Sequence, residues 1–107
     1  MKILVLAKYD QYHTVRPEAE IFISLSKLGY DITVMTNIKY KYAQIFKDAG
    51  IKIIDFEAEK KLYKIEINFI RRKLIEGKYD VMHMFNNISM VNGIAAAKNM
   101  DIKCVLY

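Results

Sequence analysis

One phrase recurs along this chain. A short apolar run gives way to a polar loop, then to a segment with helical spacing, and three of the four such segments stop at a glycine. The apolar runs are Ile3–Ala7, Ile32–Thr36, Ile51–Phe56, Val81–Phe85 and Ile102–Leu106. Ile3–Ala7 is unbroken, and a run that short, without alternation, suits a strand covered on both faces. The intervening segments, Pro17–Leu28, Lys39–Ala49, Lys64–Glu76 and Met90–Asn99, read as helices. Strands alternating with helices imply a parallel sheet with right-handed crossovers. The expectation is a single Rossmann-like three-layer α/β/α domain over residues 1–107, with a five-stranded parallel sheet in the order 3-2-1-4-5.

The helical segments predict which residues face the sheet. Ile21, Phe22, Leu25 and Leu28 share a stripe in the first, Tyr42, Ile45, Phe46 and Ala49 in the second, and Ile67, Ile70 and Leu74 in the third. Gly29 and Gly50 are read as residues just past a helix end that can take positive φ, and Gly77 as the residue that closes the third helix. Pro17 suits the first turn of a helix, and Asn37 is a cap candidate for the second. The fourth segment carries Gly93 and Ala95 to Ala97, small enough for close approach to a sheet. Cys104, inside the last apolar run, is expected to be a small buried hydrophobe. No helical segment follows that run, so its flank is expected to be exposed and apolar, a surface for weak homodimers. The chain reads as part of something longer.

In an open α/β sheet of this order, the crevice opens where strand order reverses, between the first and fourth strands. Two loops flank that point. The first carries Tyr9, Asp10, Tyr12, His13, Thr14 and Arg16, with Glu18 in the following turn. Hydroxyls, a carboxylate, an imidazole and a guanidinium together suit a polyhydroxylated or anionic ligand. Arg16 has the planar fork that holds phosphate or carboxylate in a bidentate grip, and His13 is a weak candidate acid or base. The alternative is structural: Asp10 and Thr14 shape the turn, Arg16 pairs with Glu20, and His13 faces solvent. The second loop offers Asn86 and Asn87, with Asn87 or Ser89 expected to cap the fourth helix. His83 lies inside a strand, where a satisfied core histidine is the commoner role.

Charge is concentrated. Between Lys60 and Lys78 there are seven cations against Glu66 and Glu76, which matches the whole net charge of +5. Lys60, Lys61, Lys64, Phe69, Arg72 and Lys73 form a candidate face for an anionic membrane, the alternative being a solvated helix whose Phe69 meets a neighbouring element. No zinc-ligand, RNP-like or helix-turn-helix pattern accompanies the charge, so nucleic acid is not an expected partner. The lone cysteine excludes a disulfide framework and points to a reducing, cytoplasmic setting. No apolar stretch approaches the roughly 20 residues of a membrane span. There is no G-x-G-x-x-G, Walker A or C-x-x-C motif, and two histidines alone give no metal site.

The stretch R-P-E-A-E-I-F-I-S-L-S-K-L-G-Y-D-I-T-V-M-T resembles the first helix and second strand of retaining glycosyltransferases with the GT-B fold, in the large fourth sequence family. There a helix E-L-A-x-x-L-x-x-x-G-H precedes a strand E-V-x-V-x-T, and Glu20, Leu25 or Leu28, Gly29, Tyr30 and Thr36 hold the matching places. Gly77 to Phe85 is similar to that family's D-V-x-H-x-H stretch, with Asp80 and His83 matching and Phe85 replacing the second histidine. The family's frequent Gly-Gly pair after the first strand is replaced by Tyr12 and His13. The resemblance covers the family's N-terminal, acceptor-binding domain. It implies transfer of a sugar to a polysaccharide or lipid-linked acceptor, peripheral on the inner face of the membrane. Tyr9, Asp10, His13, Thr14, Arg16, Asn86 and Asn87 would line the acceptor cleft. No cofactor is expected in this chain. The nucleotide-sugar donor belongs to a missing C-terminal domain, without which transfer is not expected. The rival expectation is a free-standing Rossmann-like binding or interaction module.

Overall fold

The computed structural model describes residues 1–8 and 17–106. The strands are β1 (Lys2–Leu6), β2 (Asp31–Thr36), β3 (Lys52–Asp55), β4 (Val81–Met84) and β5 (Lys103–Leu106). The helices are α1 (Pro17–Lys27), α2 (Lys41–Asp48), α3 (Lys64–Gly77) and α4 (Asn87–Ala96). The strands form one sheet in the order β3-β2-β1-β4-β5, with every pairing parallel. The Rossmann-like α/β architecture expected from the apolar runs is therefore the one observed.

β1 is central because both its neighbours are long-range partners. Ile3 to Leu6 lie beside Ile32 to Met35 on one edge and beside Val81 to Met84 on the other. Its side chains alternate between two cores. Ile3, Val5 and Ala7 join Phe22 and Ile23 of α1 and Tyr42 and Phe46 of α2. Leu4 and Leu6 join Ile70 and Leu74 of α3 and Ala96 of α4. Helices thus cover both faces, α1 and α2 on one and α3 and α4 on the other.

Several local expectations need correction. α1 turns Ala19, Phe22 and Ile23 inward, whereas Ile21 and Leu28 are exposed, since small Ala19 lets that stripe approach the sheet closely. Gly29 and Gly50 do take positive φ, 99° and 84°. Gly77 does not: Lys78 makes the left-handed turn at φ 51°, and an added Cβ at Gly77 would lie 2.2 Å from the Tyr79 ring. Gly77 is small for packing. Asn37 does not cap α2; its Oδ1 accepts the Lys39 N–H at 2.9 Å, and Tyr40 holds the cap position without a side-chain bond. Cys104 is exposed, because no described element covers the outer flank of β5, although local desolvation still pushes its thiol pKa up.

Candidate functional site

Strand order reverses between β1 and β4, so their carboxyl ends open the crevice. The Phe85 N–H donates to the Leu6 carbonyl at 3.0 Å, holding the two strand ends level. Tyr9, Asp10, Tyr12, His13, Thr14 and Arg16 lie outside the described residues, so the β1 side is described only as far as Lys8.

The β4 side is set by Asn86. Its backbone takes φ 73° and ψ 156°, a region that is essentially glycine territory. Its Oδ1 accepts the Ser89 N–H at 2.9 Å, so Asn86 is the cap of α4. This corrects the expectation that Asn87 or Ser89 does so. The helix begins at Asn87, three residues earlier than the apolar spacing suggests, and Ser89 is buried within its first turn. Asn86 and Asn87 are both exposed at the crevice. With its oxygen engaged, the amide N–H groups of Asn86 have no partner among the described residues, and Asn87 adds a second amide at the positive end of α4.

Below this rim, His83 points to the α1 face, with its ring edge-on to Phe22 at 5.3 Å and 76°. Phe85 meets the same Phe22 at 6.0 Å. Burial lowers the His83 pKa from 6.5, which keeps the ring neutral near pH 7. It therefore has the surroundings of a core histidine one turn of pleat beneath the crevice. Among the described residues, the Thr36 hydroxyl at the end of β2 is buried with no hydrogen-bond partner. Reading the sequence as a strand-terminal threonine gave no sign of it. No group of three or more metal-ligating side chains occurs among the described residues.

Two further polar residues were invisible in the sequence. Asn92 of α4 is fully buried and binds three groups: it donates to the Lys60 carbonyl at 2.8 Å and to Glu66 Oε1 at 3.0 Å, and accepts from the Leu62 N–H at 2.7 Å. The buried Glu66 carboxylate also accepts the Glu59 N–H at 3.0 and 3.1 Å. Together they fasten the connection after β3 to α3 and α4 at the crevice end of the sheet.

The basic segment divides in two. Phe69 stacks flat on Phe56, with centroids 4.9 Å apart, as its structural alternative anticipates. Arg72 and Lys73 gather over its ring at 5.5 and 5.4 Å. Lys73 also sits 3.5 Å from Glu76, and Arg71 donates to the Ala96 and Lys98 carbonyls at 2.9 Å. Lys60, Lys61 and Lys64, by contrast, are exposed at the loop and the first turn of α3. No helix among the described residues is long and apolar enough to cross a membrane.

A family model described as glycosyl transferase 4-like matches residues 2–107. No curated protein matches the sequence significantly. Among solved structures, a glycosyltransferase from Rickettsia africae superposes with a TM-score of 0.81 at 15% identity, covering 98% of this chain and 28% of that one. MurG of Acinetobacter baumannii gives 0.73 at 15% identity, covering 98% and 34%. The C-terminal domain of a Pyrococcus furiosus hydrogenase gives 0.69 at 14% identity, covering 99% and 90%. The chain thus spans about a third or less of the two transferases it resembles.

Proposed function

The chain belongs to the glycosyl transferase 4-like family, and from that premise we propose that it forms the acceptor side of a GT-B glycosyltransferase cleft. The reaction is transfer of a sugar from a nucleotide-sugar donor to a polysaccharide or lipid-linked acceptor. Donor binding is assigned to a second domain outside these residues, so the chain alone does not transfer sugar. Arg16 holds an anionic group of the acceptor. Tyr9, Asp10, Thr14, Asn86 and Asn87 bind its hydroxyls, and His13 is the local acid or base.

The observation that supports this most is Asn86. A non-glycine residue sits in a costly backbone conformation at the one place where strand order reverses, with its amide beside the positive end of α4. The test belongs in the enzyme that carries both domains. Asn86→Gly keeps the backbone conformation accessible and costs only a few tenths of a kcal/mol as a cap. It should lower acceptor kcat/KM by roughly 1–3 kcal/mol and leave donor affinity unchanged, as should Arg16→Ala. Wild-type acceptor kinetics in both variants, or a collapse in donor affinity, would remove the assignment.

A second reading, a free-standing binding module, draws support from the hydrogenase domain, which has this fold at nearly this length. A natural protein lacking a second Rossmann-like domain, and binding no nucleotide sugar, would favour it.

A further inference from the structure

The end of the sheet opposite the crevice carries a pocket that the proposed reaction does not use. It is a hollow of about 170 Å³ lined by Lys52 and Ile54 of β3, by Lys73, Glu76 and Gly77 of α3, and by Tyr79. Lys52 opens β3 and Tyr79 comes two residues before β4, so this is the amino end of the parallel strands. α3 runs back along the sheet and delivers its last turn to the same place.

Tyr79 is held from two sides. Lys2 places its Nζ 5.4 Å from the ring centroid and donates to the Gly77 carbonyl, while Gly77 lacks the Cβ that would collide with the ring. The residue is only 8% exposed, yet its hydroxyl forms no hydrogen bond among the described residues. A buried tyrosine hydroxyl ordinarily has a partner. Its oxygen is not sealed in, unlike that of Thr36, and Tyr79 is a wall of the hollow.

The other walls are charged or apolar. Lys52 forms no ion pair among the described residues. Lys73 stands 3.5 Å from Glu76 and 5.4 Å from the Phe69 ring centroid, contacts that settle its ammonium at the rim. Two cations less one anion leave the lining with a charge of +1. Ammonium and phenol groups donate hydrogen bonds to an oxyanion, and Ile54 and the tyrosine ring suit an apolar body. Size narrows the choice, since a cavity of about 150 Å³ takes benzene.

We propose that this pocket binds a small organic monocarboxylate of about benzoate size. Its oxygens lie between Lys52, Lys73 and the Tyr79 hydroxyl, and its body rests on Ile54 and the Tyr79 ring. One negative charge neutralises the lining. Glu76 leaves no cation for a second, which selects a carboxylate over phosphate, whose charge near neutral pH approaches two.

The test is titration of the isotope-labelled protein with sodium benzoate, followed through backbone amide shifts. Saturable shifts should gather on Lys52–Ile54 and Gly77–Tyr79, leave Asn86–Ser89 unmoved, and shrink as salt rises. Benzyl alcohol, similar in shape but uncharged, and inorganic phosphate should each bind about tenfold more weakly. Lys52→Gln should weaken benzoate binding about tenfold and Tyr79→Phe about fivefold. Lys103→Gln, on β5, should stay within about twofold. Tyr79→Phe keeps the ring, and an unchanged thermal midpoint confirms its packing. Shifts that never saturate or that scatter over unrelated lysines, equal binding of benzyl alcohol, or wild-type affinity in both Lys52→Gln and Tyr79→Phe would each overturn the proposal. The pocket and the crevice lie at opposite ends of the sheet, so neither assignment depends on the other.

Discussion

β1 and β5 look alike in the sequence and behave differently in the fold. Each opens on a lysine and continues as a short apolar run. In β1, Leu4 and Val5 are wholly buried. In β5, only Val105 escapes full exposure, and Leu106 is 52% exposed. The difference lies in position. β1 has a strand on each side and helices above and below, whereas β5 has β4 on one side and, among the described residues, no strand on the other. An apolar run thus specifies a strand, but burial is conferred by its neighbours.

The largest effect should come from removing equal side chains from the two strands. Leu4→Ala should cost about 2–5 kcal/mol in urea unfolding, because it leaves a cavity in a closed core. Leu106→Ala should cost about 0.5 kcal/mol or less. Equal losses would break the comparison. A smaller effect should come from His83 on β4, between the two strands. Its folded pKa is lowered from 6.5 by burial, so the unfolded chain binds the proton more readily. Stability should be full above pH 6.5 and decline as pH falls from there through the folded pKa. Urea midpoints from pH 7.5 to 5, with the ring titration followed by NMR, measure both; His83→Phe should flatten that slope. Least disruptive is Cys104: in this 107-residue chain, iodoacetamide should alkylate it without unfolding, slowly because its pKa is raised. A thiol that reacts only in denaturant would show that β5 is covered after all.

Strand order was legible because it follows from rules that apolar runs and glycine stops express locally. Gly29 and Gly50 carry that information in their backbone requirement, and it was read correctly. Gly77 does close α3, as read, but its smallness answers to Tyr79, two residues on, and not to a turn. The start of α4 was misplaced because Asn86-Asn87-Ile88-Ser89 has loop-like composition, while Asn86 capping the Ser89 N–H makes the last three helical. Asn92 and Glu66 left almost no signal. Buried polar pairs satisfied across 26 residues of chain have no periodicity to detect. Their one trace was an asparagine within the small, apolar stripe of α4. Of the candidate site, the crevice position and Asn86 were readable, since topology alone places them. Thr36 was not, because a hydroxyl's lack of a partner is a property of packing.

The central place of β1 also bears on how the chain is made. β1 precedes the other four strands in the chain, yet its Lys2 backbone N–H donates to the Asp80 carboxylate at 2.8 Å and its second edge pairs with Val81 to Met84. During synthesis, β1 can join β2 early, but its other edge waits for residue 84. The first of the five strands is therefore completed only after the fourth has been made. Between the synthesis of β2 and that of β4, the nascent chain carries an apolar strand with one open edge, the kind of edge that recruits chaperones or a neighbouring chain.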